Sequence, residues 1–160
     1  MATTTTNPDD LRKTQPITHT DDLTRAFPLV GRVLYAVIFV MATPGHFAST
    51  TIAHAAAQGV PFANVMVPFA GVIALLGALG VIFGYQTKLS ASLLIVFLVP
   101  VTLTMHRFWI ATDPQMAQLQ SIQFMKNLGL IGGALFLVYF GAGPLSVDAV
   151  IARTKVTQAK

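Results

Sequence analysis

Residues 65–84 read VMVPFAGVIALLGALGVIFG, twenty residues without one charged side chain. At a helical rise of about 1.5 Å per residue such a run measures about 30 Å, the thickness of a bilayer's hydrocarbon core. Working outward, three more apolar runs of similar length cover about 27–47, 89–105 and 122–141. The run at 89–105 is the shortest, and Pro100 is expected to kink it. A chain in lipid must pair its backbone polar groups within each span, so helices are the default, and no strand-like alternation suggests a barrel. The expected fold class is all-α, an integral membrane four-helix bundle.

Composition agrees. Of 160 residues 54% are hydrophobic and 10% charged, far from the quarter or so that coats a soluble domain. Cysteine is absent, which excludes disulfides and thiolate metal or iron–sulfur sites made by this chain. All six acidic residues are aspartates. The domain plan is a flexible polar tail over 1–24, a four-span domain over 25–148 and a basic tail over 149–160. The opening MATTTTNPDD lacks the basic-then-apolar order of a cleavable signal.

Orientation follows from lysine and arginine placement. Arg12, Lys13, Arg25, Arg32, Lys88, Arg153, Lys155 and Lys160 fall on the side of the termini, whereas only Arg107 and Lys126 fall on the other. Both termini are therefore expected in the cytoplasm, in a bacterial inner membrane. This bias accounts for the net charge of +4 without nucleic acid, for which no motif is present. Small residues recur at four-residue spacing: Ala70, Ala74 and Ala78, then Gly80 and Gly84, then Gly129 and Gly133. They suit close packing inside the bundle, with a homodimer as the lesser alternative.

Titratable groups within spans usually serve a purpose. His46, His106, Arg107 and Lys126 gather at the end opposite the termini, with Gln123 and Asn127 beside Lys126 and only Asp113 as an acidic neighbour. These six polar residues are the candidate ligand-binding pocket. A cationic pocket without a carboxylate suits an anion or a carbonyl-bearing head group such as a quinone. Two histidines raise a b-type haem as a minor alternative; no metal site is expected, since a zinc centre wants more ligands. Phe108 and Trp109 read as an aromatic belt. At the other end, Arg32 and Asp148 are a candidate structural ion pair. No catalytic set of nucleophile and base is visible.

Several stretches resemble the DoxX-like family of small membrane proteins. They are GRVLYAVIFV at 31–40 running to PGHF at 44–47, QGVP at 58–61, AGVIALLG at 70–77 and TKLSASLL at 87–94. HRFW at 106–109, FMKNLGLIGG at 124–133 and GAGPLSVD at 141–148 complete the set. The resemblance covers about 28–148 and implies a four-helix bundle that serves as the membrane subunit of a quinone-linked redox complex with partner subunits. It favours His106, Lys126 and Asn127 as site residues. Two acidic positions of that family are Ala74 and Arg107 here, which weakens any proton-coupled or metal role. Two other function classes fit the residues: a scaffold anchoring a soluble enzyme, and a carrier for a small anion or lipid-like solute.

Overall fold

The computed structural model describes residues 19–159, with side chains from Leu23 onward. Most of the tail expected over 1–24 lies outside the described residues, as do Arg12, Lys13 and Lys160. Among the described residues six α-helices follow one another: α1 His19–Ala42, α2 Ser49–Ala57, α3 Ala63–Phe83, α4 Thr87–Met105, α5 Pro114–Phe140 and α6 Val147–Gln158. Short 3₁₀ turns at Thr43–Phe47 and Phe108–Ile110 extend α1 and α4. Four segments, Leu23–Phe47, Ala63–Phe83, Thr87–Ile110 and Pro114–Phe140, are long and apolar enough to cross a membrane. No strand occurs among the described residues. The chain is an all-α membrane bundle.

The spanning helices pack in sequence, α1 on α3, α3 on α4 and α4 on α5. Tyr35 of α1 closes the ring, its hydroxyl donating to the Leu130 carbonyl of α5 at 2.9 Å. The core is built of Ala36 and Phe39 from α1, Ala74, Ala78 and Val81 from α3, and Ala91, Leu94 and Phe97 from α4. Ala74 and Ala78 lie one turn apart and are wholly enclosed, so their small side chains let neighbouring backbones approach where lipid supplies no hydrophobic drive. The outward faces are apolar too: Leu34, Phe69, Leu76, Val96 and Phe136 are all more than half exposed. Lipid, not water, covers such a surface.

Three local features depart from the expected spans. The connection between spans one and two contains helix α2, whose Ala55 packs with Ala63 and Val67 of α3. Helix α5 starts at Pro114, about two turns before the expected residue 122, because Asp113 caps it by accepting from the N–H groups of Gln115 and Met116. Its 27 residues reach about 40 Å, so roughly its first two turns stand clear of the hydrocarbon. Residues 147–158 are helical, with the Ser146 hydroxyl accepting from Ala149 N–H at 3.1 Å.

At the end near the termini, the turn from α3 to α4 is clamped from two sides. Arg32 is 1% exposed. Its guanidinium donates to the carbonyls of Pro28, Val81 and Leu145, so one buried cation ties α1, the end of α3 and the approach to α6. Gly84 sits at φ +65°, where a side chain is strained, and a Cβ there would run into the guanidinium and Ser146. From the other side Asp148 accepts from Gln86 N–H at 2.8 Å, Thr87 N–H at 2.9 Å and the Thr87 hydroxyl at 2.8 Å. It thus caps α4 from a distant part of the chain, at a start where Gln86 holds a left-handed conformation and offers no cap of its own. Partial burial alone would raise the Asp148 carboxyl. The donors of Thr87 and Gln86, helped by the charge of Arg32, outweigh it and hold the group below the usual carboxylate range. Arg32 and Asp148 attract each other through space, while their hydrogen bonds described above go to other partners.

Candidate functional site

The end opposite the termini is built differently. Helix α2 lies across the ends of α3 and α4 and roofs an apolar groove of about 400 Å³. Ala70 and Ile73 of α3 and Phe97, Pro100 and Met105 of α4 line it, with His46 at its edge. From Met66 to Ile73 along α3 the groove runs about 10 Å, within the depth of one leaflet. Its rim includes Met66, Phe69 and Val96, exposed at 42%, 57% and 61%, so it opens sideways onto lipid. Pro100 has no N–H to offer the Val96 carbonyl one turn back, which loosens α4 beside the groove.

His46 is held in place by two features. Its Nδ1 lies 3.1 Å from the Ala42 carbonyl, a bond in which Nδ1–H donates. Gly71 faces it so closely that a Cβ there would fall 2.6 Å from His46 Cβ. The ring also packs against Phe97, with centroids 5.5 Å apart.

Beyond the groove lies a second, polar hollow of about 280 Å³, bounded by Gln58, Arg107, Asp113 and Gln120. Met105 lines both spaces, and Gln58 adjoins Gly59 of the groove wall. Arg107 reaches back to α2, its Nη2 donating to the Gln58 carbonyl at 3.0 Å and to Gln58 Oε1 at 2.9 Å. Its Nε is buried without an acceptor, the one such side-chain atom among the described residues. A buried donor left unpaired costs about 1–3 kcal/mol, more when charged, so this cation is poised to gain from an added acceptor. The aromatic residues Phe108, Trp109 and Phe124 pack edge to face alongside, with centroids 5.2–5.8 Å apart.

The six polar residues picked from the sequence do not line one pocket. His46 borders the apolar groove and Arg107 the polar hollow. His106 shares a hydrogen bond with Gln120, Nδ1 to Oε1 at 2.8 Å, and meets Gln123 in a neighbouring hollow of about 440 Å³. Asn127 is buried and donates to the Thr102 hydroxyl at 3.0 Å, tying α5 to α4. Lys126 is exposed: consecutive helical residues point about 100° apart, so Asn127 faces inward and Lys126 turns out. Sequence reasoning passed over Gln58, Gln120 and the whole of α2. The signal for Gln120 was present in the glutamines at 115, 118, 120 and 123, which are too polar for a loop that merely joins two spans.

Comparison with known proteins corrects the family. The sequence model of the SURF4 family matches residues 13–153. The chain is 29% identical over 125 residues to the inner membrane protein YqjF of Escherichia coli K12, covering 77% of this chain and 90% of that protein. It is 32% identical over 80 residues to the ER-derived vesicles protein ERV29 of Saccharomyces cerevisiae, covering 50% of this chain. A Surfeit locus protein 4 homolog of Drosophila melanogaster is 37% identical over 71 residues, 42% of this chain. The chain's match spans 26% of each of these two longer relatives. No solved structure matches.

The DoxX-like resemblance is therefore overturned. Its motifs are mostly glycine, alanine and aliphatic residues, which any tightly packed four-span bundle requires, so they do not by themselves distinguish one such family from another. The SURF4 match gives no support to the quinone-linked redox role, and the six residues from which a quinone pocket was read do not share one pocket. Four apolar helices and a relative named for the inner membrane make this a multi-pass inner-membrane protein. With its family model matched across nearly the whole chain, the protein belongs to the SURF4 family.

Proposed function

We propose that this protein is a membrane-embedded binding protein that takes the apolar chain of a lipid-like molecule into the groove beneath α2. The observation that carries this reading is the groove itself: about 400 Å³, within the size range of small-molecule sites, apolar along its length and open to the bilayer. The charge bias of the termini puts α2 and the groove in the outer leaflet. The site offers no nucleophile and base set close together, so the reading is binding and not catalysis. His46 at the edge of the groove gives it a polar point at which a hydroxyl or amide could be oriented.

The test is native mass spectrometry of the protein released gently from membranes, compared with Ala70→Trp, which fills the groove from α3. Wild-type protein is expected to carry a lipid-sized adduct, and the variant to lose most of it while keeping its melting temperature. Val101→Phe fills the same space from α4 and serves if the first variant folds poorly. Bare wild-type protein, or equal adducts in all three, rejects the proposal.

A further inference from the structure

We infer that the hollow beside Arg107 holds an anionic head group, the phosphate of an acidic membrane lipid whose chain lies in the adjoining groove. This rests on the proposed function and narrows it to a class of ligand. Three observations point the same way. First, the two spaces adjoin. Met105 walls both, and Gln58 of the hollow precedes Gly59 of the groove, so a molecule with an apolar chain and a polar end fits across the join. Second, the join falls at the right depth. The groove runs about 10 Å along α3, and the hollow lies where α5 is still polar, capped by Asp113 and carrying Gln115 and Gln120, the level at which head groups sit.

Third, Arg107 has donor capacity to spare. Its Nη2 is committed to Gln58, which fixes the guanidinium plane, while the residue borders the hollow and its hydrogen bonds go to Gln58 alone, so the guanidinium keeps donors beyond that pair. An oriented guanidinium with an unused donor is a phosphate site in need of its oxygen. Asp113 borders the same hollow, but its carboxylate accepts from the N–H groups of Gln115 and Met116. His106 is engaged with Gln120. Arg107 is thus the cation left to meet an acidic ligand. It is also one of only two basic residues at this end, so general attraction of anionic lipid by a basic rim does not account for it.

The experiment reconstitutes the full chain in phosphatidylcholine vesicles containing a minor share of phosphatidylglycerol with the same acyl chains, then reads the bound lipid by native mass spectrometry. Wild type is expected to enrich phosphatidylglycerol about tenfold over its share in the vesicle. Arg107→Gln should bring that ratio to about one, and Arg107→Lys, which keeps the charge but not the planar fork, should fall between. No enrichment in wild type, or full enrichment in both variants, overturns the inference. A second arm adds inorganic phosphate to delipidated protein and follows the melting temperature. Phosphate that stabilises wild type but not Arg107→Gln, without lipid enrichment, marks a free-anion site and overturns the head-group assignment. Loss of enrichment in Arg107→Gln with the total adduct retained supports it. Absence of any lipid on wild type defeats the groove reading, and the head-group inference with it. Lipid that binds without preference for the acidic head group defeats the inference alone.

Discussion

The two ends of this bundle each hold an inward-reaching arginine, and they use it in opposite ways. Arg32 is enclosed and donates to three main-chain carbonyls, with Gly84 kept small to admit it. Every element around it is tied to another: α1 to α3, the turn after α3 to α6, and α6 to the start of α4 through Asp148. Arg107 is only half buried, touches a single partner residue, and leaves a buried N–H without an acceptor. A satisfied buried cation is a structural part; an unsatisfied one beside a polar hollow is where the proposed head-group site lies. Burial of charge in a membrane does not by itself signal function. The state of its hydrogen bonds separates the two cases.

The contrast can be broken first at the closed end. Gly84→Ala strains a left-handed position and evicts the Arg32 guanidinium. It is expected to cost about 3 kcal/mol or more, or to prevent accumulation in the membrane. Thermal unfolding in mild detergent measures it; a near-native midpoint would mean that the clamp is not what holds this end. The same change should leave any surviving folded protein with its lipid adduct, since the groove lies at the other end.

Next in size is Asp148→Asn, which replaces acceptor oxygen with a donor facing Thr87 and should cost about 1 kcal/mol, the scale of a lost helix cap. It also carries a pH signature. The Asp148 carboxyl lies below its ordinary value in the folded protein, so the unfolded chain binds more protons as pH falls. Its stabilisation is complete above the usual carboxylate range near about pH 4 and disappears as pH drops through the depressed value. The stability gap between wild type and Asp148→Asn should therefore narrow on acidification. A gap constant with pH would show that the carboxylate's charge is not the source.

The smallest expected effect is at Lys126, which the sequence placed among the six candidate pocket residues. Exposed on α5, it can carry its ammonium toward the head groups along its own stem. Lys126→Ala should alter stability by less than about 0.5 kcal/mol and leave the ratio of bound acidic to zwitterionic lipid unchanged. A shift in that ratio as large as the one expected for Arg107→Gln would move the site to α5.

How much was legible in advance follows from these particulars. Four spans could be read because lipid imposes length and apolarity on each segment separately, and a window of twenty residues contains that information. Asp113 before Pro114 was an equally local sign of where α5 starts, although the low apolarity of the next two turns hid it. Family membership was misread for a related reason: small residues at helical spacing are dictated by packing and recur wherever helices cross closely.

What the sequence alone determined is the number of membrane crossings, the apolar outer face and the concentration of basic residues beside the termini, all set by each segment's own transfer between water and lipid. Only the tertiary structure decided which polar groups matter. Lys126 and Asn127 are neighbours in the chain, yet one turns to lipid and the other bonds Thr102. Arg32 and Arg107 carry the same charge, and their difference lies in partners 49 residues or more distant in the chain, Val81 and Leu145 for one and Gln58 for the other. Whether a buried donor is paired depends on groups that folding alone brings within 3 Å or so, and no local pattern encodes that.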